Sequence, residues 1–436
     1  MAFERADVYE VTQFGVESVL LTAVPATKRA TQVSVTNQIM IETSTHRSRG
    51  SRFTNVAIGN KEWTEADWQA DVATYTEPAY AVAAAFGSPD IATPIGGTLT
   101  RDWTTQIRAF SGANPKSLTL ESANFVRAGK SAGHTIDNIA FDFTRDGVSW
   151  NAHSFGGVLT DAITPTPGTN ETQTITITGT PTGGTFTLTF MGETTGTIAF
   201  DATSAAVVTA LEALPNIGAG GVTATGGALP GTPVVVTFKL QWASQNVPMM
   251  VDNDAGLTGG TAPAVAITES AAGAPLTELS NIPVAGNQWN LYVDTSAAGL
   301  GGTKLPRALE VSWSMSGLWG PLWVGNTANP SWVNVVPLAP DTEFRMLIEA
   351  DATGMSYLTQ LRAGTRIFPR IEAIGQLIEG SLYHRWLHDF CVLLTDVTPF
   401  GESQGIVTTE YSGVLAHDST WDRVGNISQR WTGTAL

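Results

Sequence analysis

The chain has a single cysteine, Cys391, so no intramolecular disulfide framework can staple it and its stability has to come from packing. Basic residues are scarce too: 23 Lys and Arg stand against 39 Asp and Glu, a formal charge of -16. That balance excludes a nucleic-acid grip built on phosphate neutralisation. Charge of either sign is thin, at 14% against about 25% in an ordinary soluble domain. No apolar run approaches the roughly 18 to 20 residues of a membrane span, and the longest candidate, 79–86, is far shorter. The opening residues MAFERADVYE are acidic where a secretion leader would be basic and then apolar. These absences predict a soluble chain folded in a reducing compartment, with no membrane partner.

What is present points to β structure. Among 436 residues, 42% are apolar, and 13 Trp and 17 Phe require a core or an interface. The 44 Gly and many Thr favour turns and strands. Composition changes sharply near Thr164 and again near Ala271, both in Pro/Gly/Thr-rich stretches suited to linkers. Between them, residues 168–274 hold no Arg, one Lys, seven acidic residues, one Trp and 22 Thr, whereas the flanks hold 12 of the 13 Trp. This contrast predicts one larger body, 1–167 and 275–436, interrupted by an inserted domain at a surface loop.

In the insert, 172–178 (TQTITIT) and 185–190 (TFTLTF) alternate with period two and read as half-buried strands, with Gly183-Gly184 as the turn between them. Short strands follow at 197–200, 221–225, 234–240 and 264–268. Thr203 is placed to cap a helix reaching Leu214, with Val207, Leu211 and Leu214 on one face. In the flanks, strands are predicted at 31–43, 117–121, 136–144, 288–293, 308–315, 343–349, 367–374, 383–394 and 406–411. Pro78 and Gly87 bracket one helix, and Thr353 and Gly364 a second. Each flank thus supplies strands around one short helix. That arrangement fits a duplicated unit, although no fixed-period repeat of residues accompanies it.

The search for chemistry yields no catalytic, cofactor or metal residue. Gly401-Glu402-Ser403-Gln404-Gly405 matches G-x-S-x-G, but that elbow needs a helix after the serine and IVTTEY reads as a strand. His384 and His388 have helical zinc spacing, yet Arg385 stands where the general-base Glu belongs, and on a strand the pair would flank Trp386 on one face. Asp252-Asn253-Asp254 starts like a calcium loop, whose closing Glu position is Pro263. Trp313, Trp319, Trp323 and Trp332 suit a ligand groove, a packed turn or a subunit contact. The densest basic stretch, Arg47, Arg49 and Arg52 in HRSRGSR, is read as a loop that docks on an acidic patch of another copy. Cys391, between Phe390 and Val392, is expected in the core.

Three runs in this order carry a resemblance: NKEWTEADWQADVATYTEPAYAVAAAFG at 60–87, SLTLESANFVRAGKSAGHTIDNIAFDFTRDGVSWNAHSFGG at 117–157, and the closing stretch from IEAIGQLIEG to QRWTGTAL. The pattern resembles the major tail (tail tube) proteins of long-tailed bacteriophages. The insert, with TITITGTPTGGTFTLTF and LPGTPVVVTF, resembles a small β-domain recurring within phage structural proteins. The resemblance implies a mainly β fold: a tail-tube-type β-sandwich with short flanking helices, in single or duplicated form, plus an inserted small β-sandwich with one helix. It assigns 1–167 and 275–436 to the tube and 168–274 to a decoration domain. It further implies a virion structural protein whose copies close into rings that stack into a conduit. Six tube domains surround the axis in that family, so three chains make a ring if both flanks are tube domains, and six otherwise. The partners implied are the chain itself and other tail proteins (tape measure, terminator, baseplate or tip), with DNA passing through the lumen unbound. An acidic lumen suits that passage, because it repels phosphate. A glycan-binding or host-adhesion protein is the alternative, with the Trp-rich segment or the insert as its binding face.

Overall fold

The computed structural model describes residues 11–109, 115–123, 128–161, 163, 165–324, 332–403, 405–433 and 436; the opening ten residues, Thr164 and Gln404 lie outside them. The fold is mainly β and divides into two compact units, one formed by Met1–Pro165 with Glu278–Leu436 and the other by Thr166–Thr277. Three α-helices stand among the described residues: α1 (Pro78–Phe86), α2 (Ser204–Glu212) and α3 (Ala352–Ala363).

In the larger unit one layer is an antiparallel sheet of eight strands. In chain order they are β1 (Ser34–His46), β2 (Val56–Ala70), β3 (Ala128–Phe143), β4 (Val148–Gly156), β5 (Ala308–Ser316), β6 (Asp341–Glu349), β7 (Val392–Ser403) and β8 (Ile406–Leu415). In space the order is β1-β2-β4-β3-β5-β6-β8-β7. The first four and the last four therefore share one arrangement: first, second, fourth, third. In each set a helix follows the second strand, α1 after β2 and α3 after β6.

Alternation explains why these segments take up the sheet. In β5, Val311, Trp313 and Met315 are buried and Ser312 and Ser314 face the other way. Register carries such residues across strands, as in the buried row Val35, Trp68, Ala152, Ile139 and Met315. Against this face packs a second layer, in which Trp289–Asp294, Arg366–Glu379, Leu382–Phe390, Gly425–Trp431 and Arg101–Ile107 are successive neighbours. Aromatic rings fill the space between, with Phe141 stacked 5.0 Å from Trp313 and edge-on 5.8 Å from Trp386.

The helices differ in burial. Every residue of α1 is buried, which its sequence PAYAVAAAF permits, and the N–H of Gly87 closes it onto the carbonyl of Ala83 at 2.9 Å. In α3 only Gly354 and Tyr357 are buried. Its cap is Asp351 and not Thr353: the Asp351 carboxylate accepts the N–H of Gly354 at 2.7 Å. Gly364 ends the helix in the left-handed conformation, φ 61°. A second correction concerns 383–394, which is two strands: the chain leaves the second layer after Phe390, passes through Cys391 and enters β7.

The smaller unit is a β-sandwich with one helix. Thr172–Thr178 lies in a four-stranded sheet between Val234–Phe238 and Ala264–Ala271, with Val222–Gly226 beyond Val234–Phe238. Gly183–Phe190 belongs to the other sheet, so it does not form a hairpin with Thr172–Thr178. The expected turn at Gly183-Gly184 is instead the start of that strand, and the chain reverses at 179–182. Thr203 caps α2 by accepting the N–H of Ala206, and Val207, Leu211 and Leu214 are buried.

Candidate assembly edges and the acidic sheet face

The strand-rich sequence leaves two questions that a sheet must answer: where its edges go, and what its second face meets. The two four-strand sets meet edge to edge at β3 and β5, antiparallel, pairing Ile139 with Met315, Phe141 with Trp313 and Phe143 with Val311. Trp313 also donates to Nδ1 of His388 at 3.0 Å, which ties this junction to the second layer. His388 is fully buried, and that burial lowers its pKa to about 3, so it is a neutral packing partner.

The outer edges are different. Among the described residues β1 pairs with β2 alone, near a bond from Asn37 to the Ser122 hydroxyl. β7 pairs with β8, and among the described residues its far side is covered only at Val392 and Leu393, by Ile367 and Arg366. Beyond Leu394 no described residue pairs with that side. Ile39 is 53% exposed, Ile41 57% and Phe400 71%. Pro399 and two register shifts, at Leu394/Asp396 and Thr398/Gly401, irregularise β7. Proline and bulges are the usual protection of an edge against indiscriminate pairing.

The face turned away from the core is polar and mostly acidic. Asp67, Asp142, Glu310, Glu343, Asp396 and Glu410 lie there with Arg345, which pairs with Glu410 at 2.6 Å. His153 is the other cationic candidate: its Nδ1 lies 2.6 Å from Asp137, a hydrogen bond that raises its pKa against the opposing effect of burial, with Glu65 and Asp67 adding to the rise.

Past the sheet, β1 and β2 continue as a two-stranded arm. Arg47, Arg49 and Arg52 are exposed at its tip beside Phe53, in a turn closed by mutual Ser48 and Asn55 bonds. A second arm, Trp319–Trp323 with Trp332–Pro337, occupies the matching place between β5 and β6. Trp63 packs edge-on at 5.5 Å against Trp323, and Lys61 sits 5.2 Å over that ring. The four Trp residues thus divide. Trp313 is in the core; Trp319 and Trp332 donate to the carbonyls of Ala85 and Gly156, pinning the second arm to the body.

The other sequence candidates are not gathered into one site. Ser403 ends β7 and pairs with Ile406 across a strand-to-strand turn, so no helix follows it. His384 and His388 share a buried strand face with Trp386. Asp254 accepts the N–H of Val265 and Asn253 that of Ala255, so these oxygens serve the turn. Cys391 is buried and its thiol is pushed up to about 12. Among the described residues no group of three or more His, Cys, Asp and Glu is placed to hold a metal, and no helix is long and apolar enough to cross a membrane. The two open outer edges were missed in the sequence; alternation marks a strand but carries no trace of which neighbour it lacks.

No family model matches the chain. A tail sheath protein of Mycobacterium phage Bxz1 is 40% identical to it over 118 residues, 26% of this chain. Those residues are 19% of the phage protein, so the chain spans about a fifth of the length of the curated relative it matches.

Proposed function

We propose that this chain is a non-catalytic structural subunit of a bacteriophage tail, and specifically of its tail tube. Copies would close into rings and stack into a hollow conduit in the virion, alongside other tail proteins. The observation that carries the reading is the eight-stranded sheet: two sets of like arrangement already joined edge to edge, with an end strand on each side whose outer edge is largely without a partner among the described residues. Closing such edges on neighbouring copies satisfies their backbone groups and leaves no template for aggregation. The acidic face supports a conduit, since carboxylates lining a lumen repel phosphate and let DNA slide. The partial likeness to a phage tail sheath protein supports a tail component. In this reading residues 1–167 and 275–436 form the tube wall, three chains make a ring, and 168–274 is an added module.

Negative-stain electron microscopy of the purified full chain at high concentration tests it. Rings or tubes with an axial channel and three-fold averages are expected. Dispersed monomers at every concentration, together with failure to join growing tubes on a tail initiator complex, would sink the reading. The sheath likeness favours one second reading, an outer tail layer; that predicts assembly around a preformed tube and none by the chain alone.

A further inference from the structure

The four-strand sets can be matched residue by residue, and the match says how one copy would meet the next. Three independent features give the same alignment. In both sets the register between the third and fourth strands shifts just before the point where the third strand becomes available to a new neighbour: at Ile136/Asn138 in β3 and at Leu394/Asp396 in β7. Before that point the same side of the third strand is covered, by Leu118–Ala123 along β3 and by Arg366 and Ile367 along β7. The chain leaving the second strand also bonds back to matching points of the fourth, Ala73 N–H to Val148 in one set and Ala350 N–H to Val407 in the other, with one extra residue before Ala73.

On this alignment Ile139 corresponds to Val397 and Ala152 to Tyr411. Following register across each set, Ala152 leads through Trp68 to Val35, and Tyr411 leads through Met346 to Val311. Val35 therefore corresponds to Val311, and Ile39, four residues on, to Met315. Strand directions alternate without interruption across all eight strands, so β7 runs antiparallel to β1, as β3 runs to β5.

We infer that the junction inside the chain is the template for the junction between chains: β7 of one copy pairs antiparallel with β1 of the next, Val397 opposite Ile39 and Thr398 opposite Gln38. This repeats the pairing of Ile139 with Met315 and of Ala140 with Ser314. The faces agree. Val397 already packs against the core, and Ile39 shares a face with buried Val35 but is half exposed in the single chain. The junction covers Ile39 and continues the acidic face from Asp396 of one copy to the next. The inference rests on the self-assembly proposed above and adds its partner surface and register.

The test is disulfide trapping in the full chain. Ile39→Cys with Val397→Cys, and Gln38→Cys with Thr398→Cys, place cysteines directly opposite; Ile41→Cys with Val397→Cys is offset by two residues, about 7 to 8 Å apart and beyond disulfide reach. Buried Cys391 does not compete. After mild oxidation, either matched pair should give a ladder of covalently joined chains on a non-reducing gel, at least five-fold stronger than the offset pair. Rings or tubes by microscopy with no ladder from either matched pair, or a stronger ladder from the offset pair, would overturn this register and leave the assembly reading standing. Monomers by microscopy that also fail to join growing tubes on a tail initiator complex, with no ladder from any pair, would overturn both.

Discussion

The two halves of the eight-stranded sheet have one topology and opposite surroundings. Where they meet, Phe141 and Trp313 stack at 5.0 Å under complete burial. At the matching outer positions stand the Pro399–Phe400 irregularity on β7 and Asn37 on β1. The difference fits the two uses that the proposed assembly makes of one pairing geometry. A permanent junction takes large aromatics, because burying them contributes most to stability. At an exposed edge, proline, a bulge and a polar residue guard against indiscriminate pairing. The helices follow the same division: α1 is buried throughout, whereas α3 keeps most of one side exposed.

Breaking the inner junction should have the largest effect on stability. Trp313→Ala removes the stack on Phe141 and leaves Nδ1 of His388 without its donor, and a loss of roughly 3–5 kcal/mol is expected from denaturant unfolding. A loss below about 1 kcal/mol would mean that the halves are held together elsewhere. A smaller effect is expected at the second helix: Asp351→Ala strips the cap and should cost about 1 kcal/mol. Glu77→Gln, at the start of α1, tests the contrast between the helices. Its carboxylate ties down the N–H groups of Thr31 and Gln32 and gives α1 no side-chain cap, so the first-half strand entry should loosen while α1 stays formed, as read by amide exchange.

The acidic face offers a pH test that belongs to the first half alone. Because the folded-state pKa of His153 is raised, its pairing with Asp137 contributes fully below the unfolded value of about 6.5 and is lost as pH rises through the folded value. Stability should therefore fall slightly, by under about 1 kcal/mol, across that window. Asp137→Asn should flatten the fall and lower the His153 midpoint in an NMR titration; an unchanged midpoint would remove Asp137 as the cause. Smallest in stability is Arg49→Glu at the arm tip, expected to change unfolding by no more than about 0.5 kcal/mol while stopping tube growth. Normal tubes from that variant would refute the arm as a contact between copies.

Much of this was legible beforehand for physical reasons. Val311, Trp313 and Met315 alternate with serines, and Thr172–Thr178 alternates with isoleucines, so each strand declares its period. β2 does not: its first half belongs to the arm and is exposed, so VAIGNKEW has no buried face to reveal, and alternation begins only near Thr64. Likewise Gly183-Gly184 looks like a turn, but the left-handed φ of 93° at Gly184 lies inside a strand, where a Cβ would come within 2.2 Å of the Gly256 carbonyl.

The likeness of the two four-strand sets shows the limit most clearly. The row Val35, Trp68, Ala152 and Ile139 corresponds to Val311, Met346, Tyr411 and Val397, with only the first residue shared. By itself the sequence determined many of the strands, though not Val56–Ala70, Arg101–Ile107, Val148–Gly156 or Gly425–Trp431, together with the helix caps at Thr203 and Gly364, the scarcity of cations and the change of composition around the insert, because those depend on neighbours along the chain. Strand order, the closed inner junction and the open outer edges were decided only in the tertiary structure. Pairing joins residues far apart in sequence, such as Phe141 and Trp313, and a core demands burial and fit at each position without demanding the same residue twice.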